Sequence, residues 1–125
     1  MKTFAKSALA LAIACVATSA MAQQQIRSAD NDLIIATTYG GGGSGPVTLC
    51  LQTAGSMWKK DIRVDGQGTL ASENGTQDCM QIAPGFIRFE LVKAKGLGVM
   101  TGVGYGTLDL SNAGGSKVII SWERD

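Results

Sequence analysis

The feature that most constrains this chain is how often it is interrupted. Seventeen of its 125 residues are glycine, and from Asp32 onward glycine, proline or Asn-Gly breaks every apolar stretch before it reaches helical length. Each glycine inside a helix would cost about 1 kcal/mol relative to alanine, and short isolated helices are already marginal. The stretches between the breaks instead alternate with period two, as half-buried strands do. In Val47-Thr48-Leu49-Cys50-Leu51-Gln52, the residues Val47, Leu49 and Leu51 share one face and Cys50 takes the other. In the run from Phe86 to Lys93, Ile87, Phe89 and Leu91 form an apolar face while Arg88 and Glu90 occupy the opposite one.

Seven strands follow from this pattern, over residues 32–38, 47–52, 60–64, 77–82, 86–93, 105–110 and 117–123. Turn chemistry separates them at Gly40–Pro46, Asp65–Gly68, Pro84-Gly85 and Ser111–Gly115. Asn74-Gly75-Thr76 has the pattern of a glycosylation acceptor, but Asn-Gly is also a favoured hairpin turn, which is the reading adopted. Short strands at this density predict an all-β, two-sheet sandwich of immunoglobulin-like architecture, with a small β-barrel as the alternative. Gly96, Gly98, Gly102, Gly104 and Gly106 fall partly at period two and would leave one strand face bare. A bulky core residue such as Trp122 or Met100 is expected to cover it, in preference to a ligand approaching the backbone.

The N-terminus has a different character. Lys2 and Lys6 precede an apolar run from Ala8 to Ala17, and small residues at Ala20 and Ala22 complete a signal-peptide pattern cut before Gln23. Residues 1–22 are therefore expected to be a signal peptide and residues 23–125 a single domain. Lipidation at Cys15 is the rival reading, and would require an unusually short apolar stretch after Lys6. No later segment approaches membrane-spanning length, so a secreted or periplasmic location is expected, with no transmembrane segment once the signal is removed. Losing Lys2 and Lys6 from eleven basic residues against ten acidic ones leaves the mature chain within one charge of neutral, which argues against a nucleic-acid partner. Its two cysteines, Cys50 and Cys79, are expected to form a buried structural disulfide in an oxidising compartment, lacking the close spacing of a redox-active pair.

Chemistry is constrained chiefly by exclusion. The chain has no histidine, which removes Ser-His-Asp and Cys-His relays and the usual ligands of catalytic zinc. Gly96-Leu97-Gly98-Val99-Met100-Thr101 lacks the third glycine of a dinucleotide fingerprint and reads as a loop. Asp61-x-Arg63-x-Asp65-Gly66 imitates a calcium loop, but Arg63 stands at a ligand position and Ser72 where the bidentate glutamate belongs. No catalytic residue, metal ligand or cofactor is assigned.

Two features could meet a partner. Trp58 beside Lys59 and Lys60 could anchor an anionic surface or stack on a sugar, its ordinary alternative being a core tryptophan. Arg88 and Glu90 form the polar face of the clearest strand. The expected function is a small binding or interaction module without catalytic activity, its partner a protein or glycan outside the cytoplasm. A structural or self-assembling subunit, adding strands through residues 32–38 or the glycine-rich segment, is the alternative. A hydrolase using carboxylates alone ranks third, since nothing in the sequence selects a pair among ten acidic residues.

Overall fold

The computed structural model describes residues 22–40, 43–53, 58–96 and 98–123. The signal-peptide and Cys15 readings lie outside them, except for Ala22 at the start of the first strand. Among these residues nine strands occur: β1 (Ala22–Arg27), β2 (Leu33–Tyr39), β3 (Val47–Thr53), β4 (Lys60–Val64), β5 (Gly68–Ser72), β6 (Gln77–Ile82), β7 (Phe86–Ala94), β8 (Met100–Asp109) and β9 (Lys117–Trp122). No helix forms among the described residues.

The strands make two sheets, a five-stranded one in the order β1-β2-β9-β3-β6 and a four-stranded one in the order β5-β4-β7-β8. This is a sandwich, and neither sheet closes into a barrel. All pairs are antiparallel except β3 with β9. The chain crosses between the sheets after β3, β5, β6 and β8, so both layers are built from residues scattered along the sequence.

Nine strands replace the expected seven because two carry no usable period-two signal. β1 reads AQQQIR and contributes one partly buried side chain, Ile26, to the core. β5 is five residues long and starts at a glycine. β8 also begins at Met100, inside the segment expected to be a loop.

The core lies between the sheets. Ile34, Leu49, Leu51, Ile120 and Trp122 from the five-stranded sheet meet Ile62, Leu70, Phe89, Leu91 and Leu108 from the other, all essentially inaccessible to water. Removing side chains of this size from water is the main favourable term in folding, at about 1.5–3 kcal/mol each. Gly106 explains how β8 joins this core. A Cβ there would fall 2.6 Å from Phe89 Cε1, so the missing side chain lets the Phe89 ring lie directly on the strand. The glycines do not share one covered face: Phe89 lies over Gly106, Glu90 lies nearest Gly102 and Ala29 nearest Gly104, and neither Trp122 nor Met100 is among these neighbours.

The Asn74-Gly75 turn forms as expected, with φ of 55° and 78° and Thr76 N–H donating to Glu73 O at 3.0 Å. It joins β5 to β6, however, and these belong to different sheets, so it is a crossover turn and not a hairpin. Ser72 Oγ and Thr53 Oγ1 lie 3.1 Å apart beneath it, and Gly75 N–H donates to Thr53 Oγ1.

Cys50 and Cys79 are bonded. They face each other directly across the β3–β6 ladder, on the outer face of the five-stranded sheet. Cys50 is fully buried, as expected, but Cys79 is exposed because β6 is an edge strand. The bridge points to an oxidising, extracytoplasmic compartment.

Candidate functional site

One end of the sandwich carries a buried charged cluster. The turn from β1 to β2 is held by Ser28 Oγ, which accepts hydrogen bonds from the N–H groups of Asp30 and Asp32, and by Asn31 in a left-handed conformation with φ of 68°. This places Asp32, 1% exposed, under the last residues of β7 and β9. Its Oδ2 accepts from Trp122 Nε1 at 2.9 Å and from Lys93 Nζ at 2.7 Å. Lys93 also reaches Asp30 at 3.2 Å, and Lys95 binds Asp30 at 2.7 Å. Asp30 is held below its ordinary value of 3.8, chiefly by the hydrogen bond from Lys95, which outweighs the opposing effect of burial, with Lys93 lowering it further.

Lys60 belongs to this region and not to the surface. It lies on the core-facing side of β4 with Ile62 and Val64, is 5% exposed, and holds Nζ 5.9 Å from the Trp122 ring centroid. The expectation that Lys60 contacts a partner beside Trp58 and Lys59 is therefore corrected, since period two turns it inward. Trp58 is 42% exposed and Lys59 is exposed, so the core tryptophan is Trp122.

The outer face of the four-stranded sheet is different. Phe86, Arg88 and Glu90 alternate along β7, and β8 sets Asp109, Thr107 and Tyr105 directly opposite them. On the other flank β4 supplies Arg63 opposite Glu90. The Arg88 guanidinium lies 4.1 Å from the Tyr105 ring centroid and 3.3 Å from Asp65 Oδ2. Arg63 sits 3.8 Å from Glu90 Oε1. Exposed pairs of this kind contribute about 0.2–1 kcal/mol each, so stability alone is a weak account of the arrangement. Phe86 is 74% exposed and Tyr105 55%, the two most exposed large hydrophobic side chains in the described part of the molecule.

Both expected residues on this strand, Arg88 and Glu90, thus lie on one solvent-facing surface, well apart from Trp58 and Lys59 at the opposite end of β4. Sequence reasoning missed Phe86, Tyr105, Arg63 and Asp65 as their neighbours. The alternation Phe86-x-Arg88-x-Glu90 was visible, but joining it to Tyr105 needs the β7–β8 register.

A carboxylate-only hydrolase needs one carboxyl held protonated near neutral pH. Asp30 and Asp109 are displaced the other way, Asp109 by donation from the Ser111 hydroxyl and backbone N–H. Two shallow clefts near the charged end, of about 150 and 140 Å³, are lined by Lys59, Ser72, Glu73 and Thr76 and by Gln52, Thr53, Ser121 and Glu123. Both are well below the roughly 300 Å³ of a small-molecule pocket. No group of three metal-ligating side chains occurs among the described residues. Comparison of the chain with known protein families, curated proteins and solved structures returns no match.

Proposed function

We propose that the mature domain is a secreted or periplasmic recognition module that binds a protein partner through the outer face of its four-stranded sheet and turns over no substrate. The observation that carries this reading is the packing of Arg88 against Tyr105 on a solvent-facing sheet that also presents Phe86. Aromatic and arginine side chains dominate the binding energy of protein interfaces, because each offers a large rigid surface together with directional polar contacts. Arg88 is already stacked and ion-paired, so it loses little conformational freedom when a partner docks. The disulfide supports an extracytoplasmic setting, and no helix among the described residues is long and apolar enough to cross a membrane.

Neither cleft described above is lined by Phe86, Arg88 or Tyr105, and an exposed sheet face without a pocket to bury a ligand favours a protein over a small molecule. The test is affinity capture from the native extracytoplasmic fraction with the mature domain and with Phe86→Ala, Arg88→Ala and Tyr105→Ala variants. At least one variant should weaken capture by about 30-fold, equivalent to roughly 2 kcal/mol, with an unchanged melting temperature. Equal capture by all three variants would refute the assignment, as would a partner lost only when Trp58 or Lys59 is replaced.

A further inference from the structure

We propose that Cys79 is a thiol-exchange site, the one sulfur of the Cys50–Cys79 bridge that an external thiol can attack in the folded protein. Attack on a disulfide proceeds in line, with the incoming thiolate approaching one sulfur from the side opposite the other. Within the five-stranded sheet the order across this row is Ile119 on β9, Cys50 on β3, then Cys79 on β6. An approach to Cys50 Sγ must therefore pass over Ile119, which shares the outer face, and Cys50 itself is 0% exposed. An approach to Cys79 Sγ comes from beyond β6, the edge strand, where the sheet ends, and Cys79 is exposed.

The chemistry balances with two equivalents of a thiol. The first thiolate forms a bond to Cys79 Sγ while the Cys79–Cys50 bond breaks, and Cys50 leaves as a thiolate that takes up a proton. The second attacks the mixed disulfide, releases Cys79 as a thiol and departs as the oxidised disulfide of the reductant. Gln77 Oε1, 3.6 Å from Cys79 Sγ, stands ready to accept a hydrogen bond from the thiol once formed. The strand that this frees is weakly buried. β6 pairs within its sheet only with β3 and gives the core one fully buried side chain, Ile82, with Met80 partly buried. Exchange at Cys79 thus unclips an edge of the domain while the opposed faces of the core stay packed.

Incubating the mature protein with glutathione near neutral pH tests this, followed by acid quench, unfolding, alkylation with N-ethylmaleimide and peptide mapping. Singly opened molecules should carry glutathione on Cys79 and the alkyl group on Cys50, in at least about tenfold excess over the converse. Ile119→Ala should raise the share of glutathione on Cys50. Equal modification of the two cysteines overturns the proposal, and so does a Cys50 share unmoved by Ile119→Ala. An exchange rate that rises with urea in proportion to global unfolding also overturns it, since the bond would then be reached only in unfolded chains.

Discussion

Replacing Asp32 should expose how much of this small domain rests on one buried carboxylate. The group ties the β1–β2 turn to the ends of β7 and β9 through Lys93 Nζ at 2.7 Å and Trp122 Nε1 at 2.9 Å, and it is 1% exposed. Asp32→Ala leaves the Trp122 donor buried without an acceptor and removes the closer of the two carboxylates facing Lys93. Breaking a buried ion pair by deleting one member costs about 3–5 kcal/mol. Lys93 retains Asp30 at 3.2 Å and is 13% exposed, which places the expected loss at the lower end, about 3 kcal/mol. Set against a typical total of roughly 5–15 kcal/mol, this is a large fraction, and it corresponds to a fall in melting temperature of roughly 12–24 °C. Asp32→Asn keeps an acceptor of the same shape and should cost about 1–2 kcal/mol, the charge-assisted part alone. Urea unfolding followed by tryptophan fluorescence measures both values. A cost below about 1 kcal/mol for Asp32→Ala would refute the reasoning, because the two hydrogen bonds would then be worth no more than those Asp32 makes with water in the unfolded chain.

Three further outcomes follow from the same geometry. Trp58→Ala should lower stability by about 1 kcal/mol or less because the side chain is 42% exposed, whereas Trp122→Ala should cost about 3–5 kcal/mol, as chemical denaturation of the two variants will show. Gly106→Ala should cost about 1–3 kcal/mol by forcing Phe89 off its strand, while Gly102→Ala meets only the mobile end of Glu90 at 2.8 Å and should be nearly neutral in the same assay. Asp30 has a folded pKa below its ordinary value, so its contribution is present above that value and lost as pH falls through the folded one. Acid unfolding of Asp30→Asn should therefore show a shallower loss of stability below about pH 4 than the parent, and identical slopes would contradict the pairing with Lys95 and Lys93.

Much of the fold was legible locally. Val47-x-Leu49-x-Leu51 and Ile87-x-Phe89-x-Leu91 face the core as their alternation implies, since a strand has only two faces and only one is dry. Asn74-Gly75 turned where its chemistry favours positive φ. The strands that escaped notice, β1 and β5, are edge strands, whose backbone pairing asks little of their side chains. The candidate site was half legible: Arg88 and Glu90 announce a polar face, but Tyr105 lies fifteen residues beyond Glu90 and reaches it only through the β7–β8 register.

Sequence alone determined what depends on neighbours along the chain: strand periodicity, turn positions and the absence of histidine. Even Lys60, assigned to the surface for its charge, obeys the period that places it with Ile62 and Val64. Tertiary structure decided what depends on neighbours across the sheets. β2 lies between β1 and β9 and so offers no free edge for strand addition, and Asp32 is a buried hub because Lys93 and Trp122, 61 and 90 residues away, converge on it. One sulfur of the bridge is exposed because β6 falls at the edge. Strand order is set by how two layers share one core, a global optimum over contacts between distant residues that no local window of sequence contains.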